Sequence, residues 1–137
     1  MDKYNSIPFI NKLIYVESRN NPLALSHKGA VGLMQIMPSV VEDYNTFAGG
    51  EYTIDDMYKI KDNLKVGVWH LKRLRKYYEN DIKAVSAYNM GFGNQNNNIY
   101  NLKYCIDILG RDRVYKYLEG KKTKAWKGKK SCYIVTD

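Results

Sequence analysis

Tyr15-Val16-Glu17-Ser18-Arg19-Asn20-Asn21-Pro22, followed by Gly29-Ala30-Val31-Gly32-Leu33-Met34-Gln35-Ile36-Met37-Pro38, decides how this chain is read. The first stretch ends an apolar run in which Ile7, Ile10, Leu13 and Ile14 recur at helical spacing, on a face that Glu17 joins. Ser6 is placed to cap this helix, and Pro8 falls in its first turn. Asn20-Asn21-Pro22 stops it, because the residue before a proline avoids the helical region. One carboxylate is thus expected at the end of an apolar helix, opposite a Gly-rich turn that brings backbone and small polar groups close to it. A third segment, Ala84-Val85-Ser86-Ala87-Tyr88-Asn89-Met90-Gly91-Phe92-Gly93, completes the pattern.

Outward from these segments the chain reads as mainly α. Residues 22 to 32 form a turn-rich loop, and a helix is expected from near Pro38 towards Tyr44. Asp62 is placed to cap a long helix with Leu64, Val68, Leu71, Arg75 and Tyr78 along it; Asp81 is placed to cap the next. Gly91, Gly93 and the run Asn94 to Asn98 are expected to end that helix. Two further helices follow, about Ile99 to Leu109 and Asp112 to Leu118, separated by Gly110. Strand-like alternation is scarce.

The 137 residues suffice for one domain with its own core. The expected organisation is a domain over 1–120 and a basic carboxy-terminal tail over 121–137. Six lysines fall between Lys121 and Lys130, with Trp126 among them. They suit either a solvated, frayed tail or a tether to an anionic matrix. The net charge of +8 calls for an anionic partner, whether nucleic acid, a membrane surface or a bacterial wall polymer. No nucleic-acid motif is present, so nucleic acid is not expected. Gly91-Phe92-Gly93 is not a nucleotide loop, because no strand precedes it. His27 and His70 are the only histidines and there is no C-x-x-C, so no metal and no cofactor is expected. Cys105 lies in an apolar helical run and reads as a reduced core residue. Whether it pairs with Cys132, 27 residues on, is left open. Neither a signal peptide nor a membrane span is visible. The expectation is a monomer that reaches its target by other means, as phage lysis or virion enzymes do, or a domain excised from a larger protein.

From about Asn5 to Gly93 the three segments resemble the catalytic domain of soluble lytic transglycosylases, whose lysozyme-like fold is shared with goose-type lysozymes. The resemblance implies a helical domain with a substrate cleft, acting on peptidoglycan at the bacterial wall. Most sugar hydrolases use two carboxylates, whereas only one stands in a motif here, and the resemblance accounts for this. In such enzymes a single Glu protonates the bridging oxygen, and the substrate's N-acetyl group stabilises the sugar cation. The same Glu then deprotonates the 6-hydroxyl to close an anhydro ring. The resemblance gives both steps to Glu17. It places Ser26 near the N-acetyl group, Gln35 and Met37 along the sugar site, and Tyr88 with its hydroxyl approaching the acid, followed by Asn89. Taken singly, each has a plainer reading: Glu17 as an exposed partner of Arg19, Ser26 as a turn former, Gln35 as a cap, Met37 and Tyr88 as core.

Two departures stand out. The Glu-Thr-x-x-Tyr-Val segment usual after such a motif is missing, and Glu119 lacks the neighbours to replace it. Met90 also stands where a small residue is common. A goose-type lysozyme, in which water replaces the 6-hydroxyl, is therefore the nearest alternative, with Glu51, Asp55 or Asp56 as the group positioning water. A non-catalytic glycan-binding module is the more distant one.

Overall fold

A computed structural model describes residues 7–137. The chain divides into two compact units, Met1–Lys72 and Arg73–Asp137. The first holds α1 (Ile10–Ser18), α2 (Pro38–Ala48), a short 3-10 helix (Ile54–Tyr58) and the start of α3 (Ile60–Tyr78). The second holds the end of α3, then α4 (Asp81–Asn96), β1 (Ile99–Asn101), α5 (Leu102–Leu109), α6 (Arg111–Leu118), β2 (Lys122–Ala125) and β3 (Cys132–Thr136). The protein is mainly α, as the apolar periodicity predicts.

In the first unit the buried side chains include Ile7, Leu13, Met34, Ile36, Met57, Val66 and Leu71. Helix α1 begins at Ile10 rather than around Pro8, because Ile10 N–H closes a turn on the Ile7 carbonyl at 3.1 Å. The expected Ser6 cap lies outside the described residues. The helix ends as Arg19 and Asn20 both turn left-handed (φ 54° and 62°) and Arg19 N–H bonds the Tyr15 carbonyl at 2.8 Å. Asp62 sits in the first turn of α3 and does not cap it. The neighbouring Asn63 is fully buried. Its Nδ2 donates to the Val31 and Met57 carbonyls, each at 2.8 Å, and its Oδ1 accepts from Met34 N–H at 2.9 Å. Gly32 is required beside it: at φ 79° it is left-handed, and a Cβ would collide with Asn63 Nδ2 and the Met57 carbonyl.

In the second unit Asn80, not Asp81, caps α4, its Oδ1 accepting from Lys83 N–H at 3.1 Å. The Asp81 carboxylate is instead taken by Arg75 Nε at 2.8 Å and Arg113 Nη2 at 2.7 Å. Burial opposes its charge, yet the two guanidinium bonds hold its carboxyl below the ordinary value. Gly91 (φ 84°, ψ 163°) is non-helical and ends the first helical segment of α4, as expected; a second segment follows the kink and runs to Asn96.

Residues 99–101, expected to be helical, form β1 instead, and Asn101 caps α5 by accepting from Tyr104 N–H at 3.1 Å. The stretch 121–137, read from sequence as a tail, contributes β2 and β3. Strand β3 lies between its antiparallel partners, with Tyr100 opposite Tyr133 and Lys124 opposite Ile134. Cys132 and Val135 are buried, whereas every residue of β2 is exposed. Cys105 and Cys132 are both free thiols.

Candidate active site

Glu17 is the penultimate residue of α1 and is half-buried. Ser18 beside it is buried, and its Oγ donates to the Ile14 carbonyl at 3.1 Å, bracing the last turn. Arg19 Nη1 donates to the Tyr15 hydroxyl at 2.9 Å, and its guanidinium lies 4.9 Å from that ring. The Asn21 side chain accepts from Leu23 N–H at 3.0 Å, which sends the chain into the Gly-rich segment.

That segment is a doubled turn closed on itself. Leu25 bridges Val31, and Val31 bridges Ile36. Ser26 N–H donates to the Ala30 carbonyl, and Ser26 Oγ accepts from Ala30 N–H, both at 2.9 Å. Ser26 therefore does act as a turn former. Gln35 is left-handed at φ 52°, a conformation that costs a non-glycine residue energy. It is held there by its N–H on the Gly32 carbonyl at 3.1 Å and by Nε2 on the Gly32 and Ala24 carbonyls at 2.9 and 3.3 Å. Met37, half-buried and extended, is the residue from which α2 starts.

These four candidates, Glu17, Ser26, Gln35 and Met37, belong to the Met1–Lys72 unit. Tyr88 and Asn89 belong to the Arg73–Asp137 unit. Tyr88 packs, half-buried, with Tyr78 and Phe92 on the cluster of Leu74, Ala84 and Ala87. Asn89 is exposed, and its Oδ1 accepts from Asn101 Nδ2 at 2.9 Å, tying α4 to the start of α5. Among the carboxylates considered for positioning water, Asp56 is committed elsewhere. It accepts from Thr53 N–H at 2.8 Å and from Lys59 Nζ at 3.2 Å, which holds its carboxyl below the ordinary value. Asp55 and Glu51 are exposed.

Sequence reasoning missed Asn63, which carries the Gly-rich turn from below. Its signal is a polar residue on the stripe that Val66, Gly67 and Leu71 bury. Among the described residues no three of His, Cys, Asp and Glu group as a metal site would require. No described helix is long and apolar enough to cross a membrane.

The membrane-bound lytic murein transglycosylase E of Buchnera aphidicola is 38% identical over 72 residues, 50% of this chain and 33% of that protein. The membrane-bound lytic murein transglycosylase F of Desulfosudis oleivorans is 33% identical over 92 residues, 61% of this chain and 18% of that protein. The chain thus spans a third or less of these relatives' lengths. Among solved structures, an inactive variant of the lytic transglycosylase Slt of Pseudomonas aeruginosa superposes with a TM-score of 0.59 at 23% identity, over 80% of this chain and 19% of that one. The 70 kDa soluble lytic transglycosylase of Escherichia coli gives 0.55 at 22% identity, again over 80% and 19%. Those likenesses establish the fold. The family model described as the transglycosylase SLT domain matches residues 2–104, three-quarters of the chain, and the protein belongs to that family.

Proposed function

We propose that this protein is a peptidoglycan lytic transglycosylase that cleaves between N-acetylmuramic acid and N-acetylglucosamine and closes an anhydro ring, with Glu17 as its single acid and base. The observation that carries this is the family match over 2–104, a span that contains Glu17, Gln35 and Tyr88. Glu17 sits in the last turn of α1, at the negative end of the helix dipole. The reaction needs an acid that is protonated when substrate binds. In the first step Glu17 passes its proton to the bridging oxygen, the C–O bond breaks, and the N-acetyl oxygen stabilises the cation at C1. In the second, the Glu17 carboxylate takes the proton of the 6-hydroxyl, whose oxygen bonds C1. The acid is thereby regenerated and no water is consumed.

Ser26, Gln35 and Met37 line the sugar site in this reading, and the family resemblance gives substrate contacts to Tyr88 and Asn89 as well. The internal hydrogen bonds of the Gln35 turn support this, since they hold the residue before substrate arrives. Asn89 uses its Oδ1 on Asn101, and its Nδ2 is the group offered to substrate. The protein acts as a monomer at the bacterial wall, outside the cytoplasm. Mass spectrometry of the soluble products from purified peptidoglycan tests the reading. Anhydro-muramic ends, one water lighter than reducing ends, are expected from the protein and none from Glu17→Gln. Reducing ends would mean a lysozyme, and retained release by Glu17→Gln would remove Glu17 from the chemistry.

A further inference from the structure

The family match stops at residue 104, and the charge is concentrated beyond it. Residues 105–137 hold nine Lys and Arg against four Asp and Glu, so they carry five of the eight net positive charges. This stretch also builds a cleft of about 570 Å³ between α5, α6 and the β2–β3 hairpin. The volume lies within the range of about 300–1,000 Å³ usual for ligand sites. Ile106 and Leu118 give the cleft an apolar wall, and Tyr115 and Tyr133 line it with aromatic faces. Two cations, Arg111 and Lys130, line it as well. Neither forms an ion pair among the described residues, whereas Lys103 is neutralised by Asp107 at 2.6 Å. Arg111 is held near Tyr115, its guanidinium 5.9 Å from the ring.

We infer that this cleft is a second glycan site, which grips an uncut peptidoglycan strand by its sugar rings and by the carboxylates of its stem peptides. The inference rests on the proposed function for the identity of the polymer. Tyrosine faces and an apolar wall suit the C–H faces of sugar rings, which a simple polyanion does not offer. Unpaired cations beside them suit carboxylates, and Arg111 can take one in a bidentate grip. Trp126, just past the end of β2 and outside the cleft lining, has the Lys127 and Lys129 ammonium groups 5.1 and 5.0 Å from its ring. A strand held in the cleft stays near the enzyme between cuts, which raises the effective concentration of the next bond.

The test is co-sedimentation with purified peptidoglycan sacculi stripped of teichoic acid, in the Glu17→Gln chain so that nothing is digested. Arg111→Glu/Lys130→Glu should raise the half-saturating sacculus concentration about tenfold, and Tyr115→Ala should raise it several-fold. All three side chains are exposed, and a thermal melt confirms that each variant folds. Lys61→Glu/Lys65→Glu makes the same change of net charge elsewhere and should leave binding within twofold. Glycan strands freed of stem peptides by an amidase should bind more weakly than intact sacculi. The inference is overturned if the control pair loses as much affinity as the cleft pair, if neither pair loses any, or if denuded strands bind as well as sacculi. Because binding is read in an inactive chain and cleavage by product analysis, failure of this site and failure of the catalytic reading show separately.

Discussion

Asn63→Ala is the substitution whose cost can be worked out from the structure. The side chain satisfies three buried backbone groups at once, the Val31 and Met57 carbonyls and the Met34 N–H, at 2.8, 2.8 and 2.9 Å. Alanine takes this partner from the Met57 carbonyl and the Met34 N–H in a fully buried place, while the Val31 carbonyl keeps its bond from Ile36 N–H at 2.9 Å. At about 1–3 kcal/mol for each of these two groups, the loss is about 2–6 kcal/mol, at the low end if water enters the vacated space. For a chain of this size about 1 kcal/mol moves Tm by roughly 4 °C, so a fall of about 8–24 °C is expected by circular dichroism. Asn63→Asp keeps the acceptor for Met34 but turns a carboxylate towards two carbonyls. It should be at least as damaging at pH 7 and should recover in part near pH 4, where a protonated oxygen can donate again. A fall below about 4 °C for Asn63→Ala would refute the role assigned to these bonds.

Other outcomes follow from the same structure. Asp81 has a depressed carboxyl in the folded state, so its contribution is present above the unfolded value of about 3.9 and is lost as pH falls through the lower folded value. Asp81→Asn should cost about 1 kcal/mol at pH 7, discounted because the Asp81, Arg75 and Arg113 side chains are 19%, 33% and 52% exposed, and progressively less as the pH falls through the folded value. Urea titrations check this, and an equal loss at pH 7 and pH 2.5 would refute it. Cys105 is fully buried, and burial pushes its thiol up to about 12. A thiol reagent at pH 8 should leave Cys105 unmodified in the native protein and label both cysteines in guanidinium; rapid native labelling mapped to Cys105 would contradict the packing. Glu17→Gln should melt within about 3 °C of the parent, since a half-buried helix-end residue carries little of the core. A larger fall would make loss of turnover uninformative about its chemistry.

The helices could be read from sequence because their evidence is local: apolar residues repeat every three or four positions, and caps and breakers flank them. What eluded the sequence was set from a distance. Asn80 and Asp81 are both good caps, and Arg113, 32 residues on, is what draws Asp81 away. Strand β2, Lys-Thr-Lys-Ala, has no apolar alternation because it is exposed throughout, and its conformation is imposed by pairing with β3. Glu17 and Gln35 stood out as motif residues, but the left-handed backbone of Gln35 and the buried support from Asn63 depend on contacts across the fold.

Those two missed features bear on how the candidate site would work. Gln35 holds an unfavourable backbone conformation, so something must outweigh it. The structure supplies it twice over. The Gln35 amide bonds carbonyls of its own loop, and Asn63 fixes the neighbouring Val31 and Met34 from the core. A turn whose polar groups are already satisfied by the protein needs no substrate to order it, so little binding energy is lost to ordering. The cost is borne by the stability of the first unit instead. Changes at Asn63 should therefore weaken both stability and turnover, while changes at Glu17 should remove turnover alone. Opposite behaviour from these two residues, 46 positions apart in sequence, would separate the group that does chemistry from the group that holds its neighbours in place.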